Sequence, residues 1–292
     1  MVEVNGTCNA GCAFCELGRR PSLDPDRLSA LRDQLRGDRE RGADRLRISG
    51  GEPLLERALP QLVEDARSLG YETVLVETNA MVASLGDTAH RLSDAGVTDI
   101  LWAVGSSTAE VNDAMFGLSG AHQASLEGAK ALVKRGIAVT ARTPITTQNI
   151  DELSQLPRWL LGEVGQLQGW WLRPLIYGPR SEYDPKLVPD LEAMRVAIQG
   201  AARSARKVGL KLSIDDETGL PLCLFRGIND AIAGLRRHPH RDRSQTHVKQ
   251  EACAGCAASS DCPGQPRQYA AIHGAFNVVP FTKPPRALVA SK

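Results

Sequence analysis

From residue 1 to about residue 214, short β-branched or apolar runs alternate with longer stretches of helical period. The runs at 2–5, 45–49, 73–78, 98–104, 137–142 and 170–176 read as strands. Between them Leu28, Leu31 and Leu35 recur at helical spacing, as do Leu59, Leu62, Val63 and Ala66, and the stretch from Ala121 to Lys134 is rich in helix formers. Gly42, Gly70, Gly96 and Gly136 stand where a helix C-terminus favours glycine. Six strand–helix units in this order predict the α/β class, a partial (β/α)6 open parallel barrel over residues 1–214.

A long helical stretch from Leu187 to Val208 and a short apolar run from Leu210 to Ile214 close that pattern. The texture then turns to Gly, Pro, Ser, Cys and charge, so a small second domain is expected over residues 215–292. A segment this poor in apolar residues needs a metal or cluster to supply folding energy, and it holds four of the seven cysteines.

Composition narrows the function classes. Thirty-five Lys plus Arg against 34 Asp plus Glu leaves a net charge of +1, which removes the electrostatic footprint of a dedicated nucleic-acid or anionic-membrane binder. No stretch approaches the ~20 apolar residues of a membrane span, and Met1 leads straight into Val2, Glu3 and Val4, so a leaderless cytoplasmic chain is expected. An odd count of unevenly spread cysteines argues for ligands rather than disulfides.

Cys8, Cys12 and Cys15 stand in a CxxxCxxC spacing directly after the first strand. Three thiolates on one tight loop suit three irons of a four-iron cluster and leave the fourth iron open; the alternative, a structural zinc knuckle, needs a fourth ligand that the nearby sequence lacks. The motif, with Phe14 just before the last cysteine, resembles the signature of the radical S-adenosylmethionine (SAM) superfamily. A second segment agrees: Gly50, Gly51, Glu52 and Pro53 follow the second strand and resemble the family's GGEP motif, implying contact with the SAM amino group. Adjacent glycines let backbone approach a ligand closely, and both motifs lie at C-terminal strand ends, where α/β barrels carry their sites.

The resemblance covers residues 1–214 unevenly. Thr78 and Asn79 end the third strand much as the family's TNG-like segment does, implying a contact to the ribose or methionine part of SAM, with strand-end capping as the alternative. After the fourth strand, where relatives have a Ser-Leu-Asp-Gly-Ser type sequence, Ala103 and Gly105 stand at the Ser and Asp positions and leave Ser106 as the polar candidate. Met115 and Phe116 precede Gly117 where relatives carry an Arg, so Arg142, at the end of the fifth strand, becomes the candidate partner of the SAM carboxylate.

Cys223 is followed by Cys253, Cys256 and Cys262, the last three as CxxCxxxxxC. Four thiolates can close a second cluster or a structural zinc site. The run through Pro263 and Gly264 resembles SPASM and twitch auxiliary-cluster domains, and seven cysteines limit the chain to one auxiliary cluster. Cys223 has a competing role, a free thiol that gives a hydrogen atom to a substrate radical. Trp171 and Arg173 share one face of the sixth strand near Tyr177, and Arg236, Arg237, His238, His240, Arg241 and Arg243 form a basic run; core packing and a solvated loop are their simpler readings. Glu3, Asn5, Glu77 and Asp215 are further polar candidates without a motif.

The resemblance implies two [4Fe-4S] clusters, SAM cleavage to a 5′-deoxyadenosyl radical, and hydrogen abstraction from substrate. The implied partners are a flavodoxin- or ferredoxin-like electron donor and a substrate that is either a ribosomally made peptide, with or without a separate peptide-recognition protein, or a small metabolite. A non-catalytic iron–sulfur or zinc protein is the reading from another class.

Overall fold

A computed structural model describes residues 1–15, 23–175, 184–215, 219–228 and 245–285. Seven strands follow one another in sequence order across one sheet: β1 (Val2–Glu3), β2 (Arg45–Ser49), β3 (Thr73–Thr78), β4 (Asp99–Ala103), β5 (Ala138–Ile145), β6 (Gly169–Pro174) and β7 (Leu212–Ile214). Parallel pairing joins β1 to β2, β2 to β3, β3 to β4, β4 to β5 and β6 to β7. The expected α/β class holds, with β2 and β3 at their expected limits. The seventh strand is an addition: Leu212 and Ile214 pair with Trp170 and Leu172. Three residues are too few for alternation to be recognised, and the neighbouring strand supplies the definition that the local pattern lacks. Ile176 and Tyr177 lie outside the described residues.

The chain divides into two compact units, residues 1–142 with 159–169, and residues 143–158 with 170–292. The division runs through the strand series rather than falling at residue 214.

In the first unit the crossover helices are α1 (Pro25–Glu40), α2 (Leu59–Ser68), α3 (Thr88–Ala95), α4 (Ala109–Phe116) and α5 (Ala121–Lys134). Asp24 caps α1 by accepting from the Arg27 amide at 2.8 Å, and Pro25 occupies the first turn, where its missing N–H costs nothing. The apolar stripe of α2, Leu59, Leu62, Val63 and Ala66, is buried as its spacing predicts. Along β3, Val74, Val76 and Thr78 are buried while Thr73, Leu75 and Glu77 are half-buried, so the two faces of the sheet meet different surroundings. Tyr71 donates to the Leu35 carbonyl at 2.8 Å and ties the end of α1 to the entry of β3.

In the second unit α7 (Leu191–Lys207), capped by Asp190, buries Leu191, Met194, Ile198, Ala201, Ala202 and Ala205. Trp170 and Leu172 of β6 are buried and Trp171 and Arg173 half-buried, the expected alternation; Trp170 Nε1 donates to Thr143 Oγ1 at 2.9 Å. Arg173 faces Asp215 at 4.0 Å. A short antiparallel pair, β8 (His247–Val248) and β9 (Gln265–Pro266), precedes α8 (Arg267–His273). The basic run from Arg236 to Arg243 lies outside the described residues. Among the described residues no helix is long and apolar enough to cross a membrane. The helix between β5 and β6, α6, spans Leu156–Val164.

Candidate functional site

Cys8, Cys12 and Cys15 lie on the loop that leaves β1, and backbone hydrogen bonds hold that loop from both sides. On one side the Gly51 amide donates to the Asn5 carbonyl at 2.8 Å and the Glu52 amide to the Thr7 carbonyl at 2.7 Å. The two glycines are required by this approach. A Cβ on Gly51 would stand 2.2 Å from the Thr7 oxygen, and one on Gly50, whose φ is 142°, would stand 2.6 Å from the Asn5 oxygen. On the other side the Gly11 amide donates to Phe116 at 2.9 Å and the Ala13 amide to Met115 at 3.1 Å. Phe14 and Phe116 meet edge to face at 5.7 Å, and a Cβ on Gly117 would stand 2.5 Å from the Gly11 oxygen.

The segment Met115-Phe116-Gly117 therefore clamps the cysteine loop. Its hydrogen bonds come from main-chain carbonyls, which any residue type supplies, while the Phe116 ring and the missing Cβ of Gly117 complete the fit.

Glu52 is buried. One carboxylate oxygen accepts from the Leu54 amide at 2.9 Å and from Thr78 Oγ1 at 2.6 Å, the other from the Asn79 amide at 2.9 Å. Burial pushes its pKa up, and those three hydrogen bonds oppose the rise. Thr78 also accepts from the Ala80 amide at 2.8 Å. Asn79 accepts from the Met81 amide at 3.1 Å and donates to Asn9 Oδ1 at 2.8 Å, reaching the cysteine loop. These hydrogen bonds tie the side chains of Glu52, Thr78 and Asn79 to neighbouring main chain and to the cysteine loop.

Ser106 is fully buried, and its hydroxyl accepts from the Thr108 amide at 3.0 Å in the turn into α4. Arg142 lies 3.4 Å from a carboxylate oxygen of Glu77, which also pairs with Arg47 and accepts from Ser49 Oγ at 3.0 Å. Pro53 opens a 3-10 turn, Pro53–Leu55, behind the glycines.

Two of the loop thiols are held towards their protonated form. Burial, with the neighbouring Cys8 and Cys15 adding to it, pushes Cys12 up to about 12, and burial raises Cys8 as well. Three thiols carried on one short, braced loop fit the donor set of an iron cluster. Asn5 adds an acceptor beside them: its Oδ1 is buried and has no hydrogen-bond partner among the described residues.

In the second unit Cys223 sits on a 3-10 turn, Leu222–Phe225, and lines one apolar cavity together with Cys253, Cys256 and Cys262. Leu222 donates its amide to Cys262 Sγ at 3.4 Å and Phe281 to Cys256 Sγ at 3.3 Å. Gln265 ties down the segment that follows α8: its Oε1 accepts from the Phe276 amide at 3.0 Å and its Nε2 donates to the Gly274 carbonyl at 2.8 Å. Gly264 approaches Val248 so closely that a Cβ would stand 2.5 Å from its oxygen. Burial pushes the Cys223 thiol up to about 11. The thiols surround a void rather than meet at a point, since among the described residues no three Cys, His, Asp or Glu side chains are close enough to share one metal ion.

The family model described as the Radical SAM superfamily matches residues 2–160. A PqqA peptide cyclase of Streptomyces rochei is 30% identical over 59% of this chain and 50% of its own length. A pre-heme d1 synthase of Dinoroseobacter shibae is 30% identical over 77% of this chain and 54% of its own. The chain therefore spans about half the length of these curated relatives. Among solved structures, Streptococcus suis SuiB bound to precursor peptide SuiA matches with a TM-score of 0.61 at 16% identity, over 73% of this chain and 48% of SuiB. The structure of anSMEcpe with bound AdoMet matches with a TM-score of 0.63 at 12% identity, over 99% of this chain and 92% of the other. At such identities the likeness is one of fold. With the family match spanning more than half of the residues, and the three-cysteine loop clamped against the double glycine inside that span, the chain belongs to the radical SAM superfamily.

Proposed function

We propose that the chain is an enzyme that cleaves SAM reductively and removes a hydrogen atom from a ribosomally made peptide, leading to a crosslink, an epimerisation or another oxidation. The observation that carries this reading is the cysteine loop held between Gly51-Glu52 and Met115-Phe116, a geometry that keeps Cys8, Cys12 and Cys15 together on the surface of the fold. When bound there, a four-iron cluster and SAM supply the electron and the hydrogen-abstracting group. The protein's own part is to hold three thiolates on one loop, to present the backbone of Gly50 to Pro53 to SAM, and to keep both in register through Glu52, Thr78 and Asn79. The peptide relatives, the PqqA cyclase and SuiB with its precursor peptide, support the substrate class.

Residues 215–292 are proposed as an auxiliary domain with a second four-iron cluster on Cys223, Cys253, Cys256 and Cys262. A void ringed by thiols suits a cluster better than a single zinc ion, whose four ligands meet at about 2.3 Å. Cys223 is a ligand in this reading. It is 6% exposed and shares the void with the other three thiols, whereas a hydrogen donor needs access to substrate. Arg142 is assigned to the SAM carboxylate. A flavodoxin- or ferredoxin-like protein supplies the electron, and a separate recognition protein is a further partner for a peptide leader.

The test is 5′-deoxyadenosine formation by anaerobically reconstituted, reduced protein, with and without size-fractionated extract of the source cells. Stimulation by a protease-sensitive fraction supports the peptide. Stimulation by a small, protease-resistant fraction replaces it with a metabolite, the second reading, which the pre-heme d1 synthase favours.

A further inference from the structure

Asn79, at the end of β3, has its main chain and both ends of its side chain committed. Its amide donates to Glu52 at 2.9 Å, its carbonyl accepts from Ser125 Oγ at 2.7 Å, and Ser125 in turn accepts from Trp102 Nε1 at 2.7 Å. Its Oδ1 accepts from the Met81 amide at 3.1 Å, so Nδ2 is the end that reaches Asn9, 2.8 Å away. A main-chain N–H can only donate, and this settles both side-chain amides: Asn79 presents a donor, and Asn9 meets it with oxygen. Gly128 lets the corner sit tightly, since a Cβ there would stand 1.9 Å from the Ala80 oxygen.

The consequence falls on Cys8. The same Asn9 Oδ1 lies 3.9 Å from Cys8 Sγ, whose thiol donates to it, while Asn9 Nδ2 makes no hydrogen bond among the described residues. Once Cys8 carries iron, its sulfur has no proton to give, and a side-chain amide left to itself would turn its N–H to the thiolate. Here that turn would set two NH2 groups against each other and leave the donor of Asn79, a residue 7% exposed, without an acceptor. Oxygen therefore stays beside the sulfur. The potential of an iron–sulfur cluster follows its net charge and the hydrogen bonds made to its sulfurs. An N–H facing a ligand sulfur stabilises added negative charge, whereas a carbonyl oxygen opposes it.

We propose that Asn79 is a positioning residue that fixes the oxygen end of Asn9 against Cys8 and so lowers the reduction potential of the cluster held by Cys8, Cys12 and Cys15. The inference rests on a four-iron cluster at that loop. A lower potential makes the reduced cluster a stronger electron donor to the sulfonium of SAM.

The test is a redox titration of the reconstituted full chain without SAM, followed by electron paramagnetic resonance; the signal that Cys12→Ala removes is the one read. Iron and sulfide content verify the loading of each variant. Asn79→Ser keeps an oxygen for the Met81 amide but is too short to reach Asn9, which frees Asn9 to turn. It is expected to raise the reduction equilibrium constant about tenfold, which is about 59 mV for one electron. Asn9→Ala removes the oxygen without supplying an N–H and is expected to raise that constant about threefold. In the Asn9→Ala background, Asn79→Ser is expected to add less than about twofold, because it acts through Asn9. Asn9→Asp keeps the acceptor, adds charge, and is expected to move the potential the other way. An Asn79→Ser potential within about twofold of wild type, or a full effect of Asn79→Ser in the Asn9→Ala background, overturns the assignment and leaves the cluster in place. If Asn79→Ser fails to hold iron, opposite shifts in Asn9→Ala and Asn9→Asp support the assignment and shifts in one direction overturn it. If Cys12→Ala removes no signal, the assignment and the cluster reading fall together.

Discussion

The two cysteine groups of this protein are organised in opposite ways. Cys8, Cys12 and Cys15 lie on one continuous loop whose position is set by hydrogen bonds that involve no sulfur: Gly51 to Asn5, Glu52 to Thr7, Gly11 to Phe116, Ala13 to Met115 and Asn79 to Asn9. Cys223, Cys253, Cys256 and Cys262 come from separated turns, and the amides of Leu222 and Phe281 point at the sulfurs themselves. The first group is shaped by the surrounding fold and waits for its cluster. The second is gathered around a void, and under the proposed reading the group bound there contributes to the folding energy. Placing a reactive cluster on a loop already fixed keeps the open iron from depending on the chemistry it performs.

That contrast breaks most visibly on removing iron. Chelation is expected to strip hydrogen-exchange protection from the amides of residues 245–285 while the Gly11 and Ala13 amides keep theirs; equal loss in both regions would remove the distinction. Cys256→Ala is expected to do the same to the second region and to lower iron from about eight to about four per chain. Cys12→Ala is its mirror image. Formation of 5′-deoxyadenosine falls to background, with the thermal midpoint within about 2 °C of wild type, because a partly exposed thiol on a braced loop adds little packing.

Smaller effects sharpen the picture of the bracing. Gly51→Ala forces a Cβ into the Thr7 backbone and is expected to cost about 1–3 kcal/mol in denaturant unfolding, together with much of the SAM affinity. Glu52→Gln puts an NH2 against a donor at one end of the carboxylate and is expected to cost about 1–3 kcal/mol. If Glu52 instead served only a ligand, stability would be unchanged.

The smallest effect is one of pH. In metal-free protein the Cys12 thiol is raised from its usual 9 to about 12 by burial, so the folded state holds that proton more tightly than the unfolded chain. This share of stability is complete below pH 9 and is lost as pH rises from 9 towards 12. Cluster-loaded protein, whose thiolates are already deprotonated, is expected to lack that slope in urea titrations.

Much of this was written into local pattern. Period-two runs placed β2 and β3 to the residue, helical spacing picked out the buried face of α2, and the separation of Cys8, Cys12 and Cys15 identified the reactive loop, because each of these depends on residues near one another in the chain. What spacing did not give at Glu52, Thr78, Asn79 and Ser106 was their partners: the first three hydrogen-bond between segments distant in the chain, and Ser106 within its own turn. Leu212–Ile214 became a strand through its pairing with β6, and Met115 and Phe116 became part of the site through carbonyl groups and apolar contacts with a loop about a hundred residues away. Side-chain type and spacing carry information along a chain, whereas main-chain hydrogen bonds between distant segments, and the atoms such bonds leave unpaired, exist only once the segments have met.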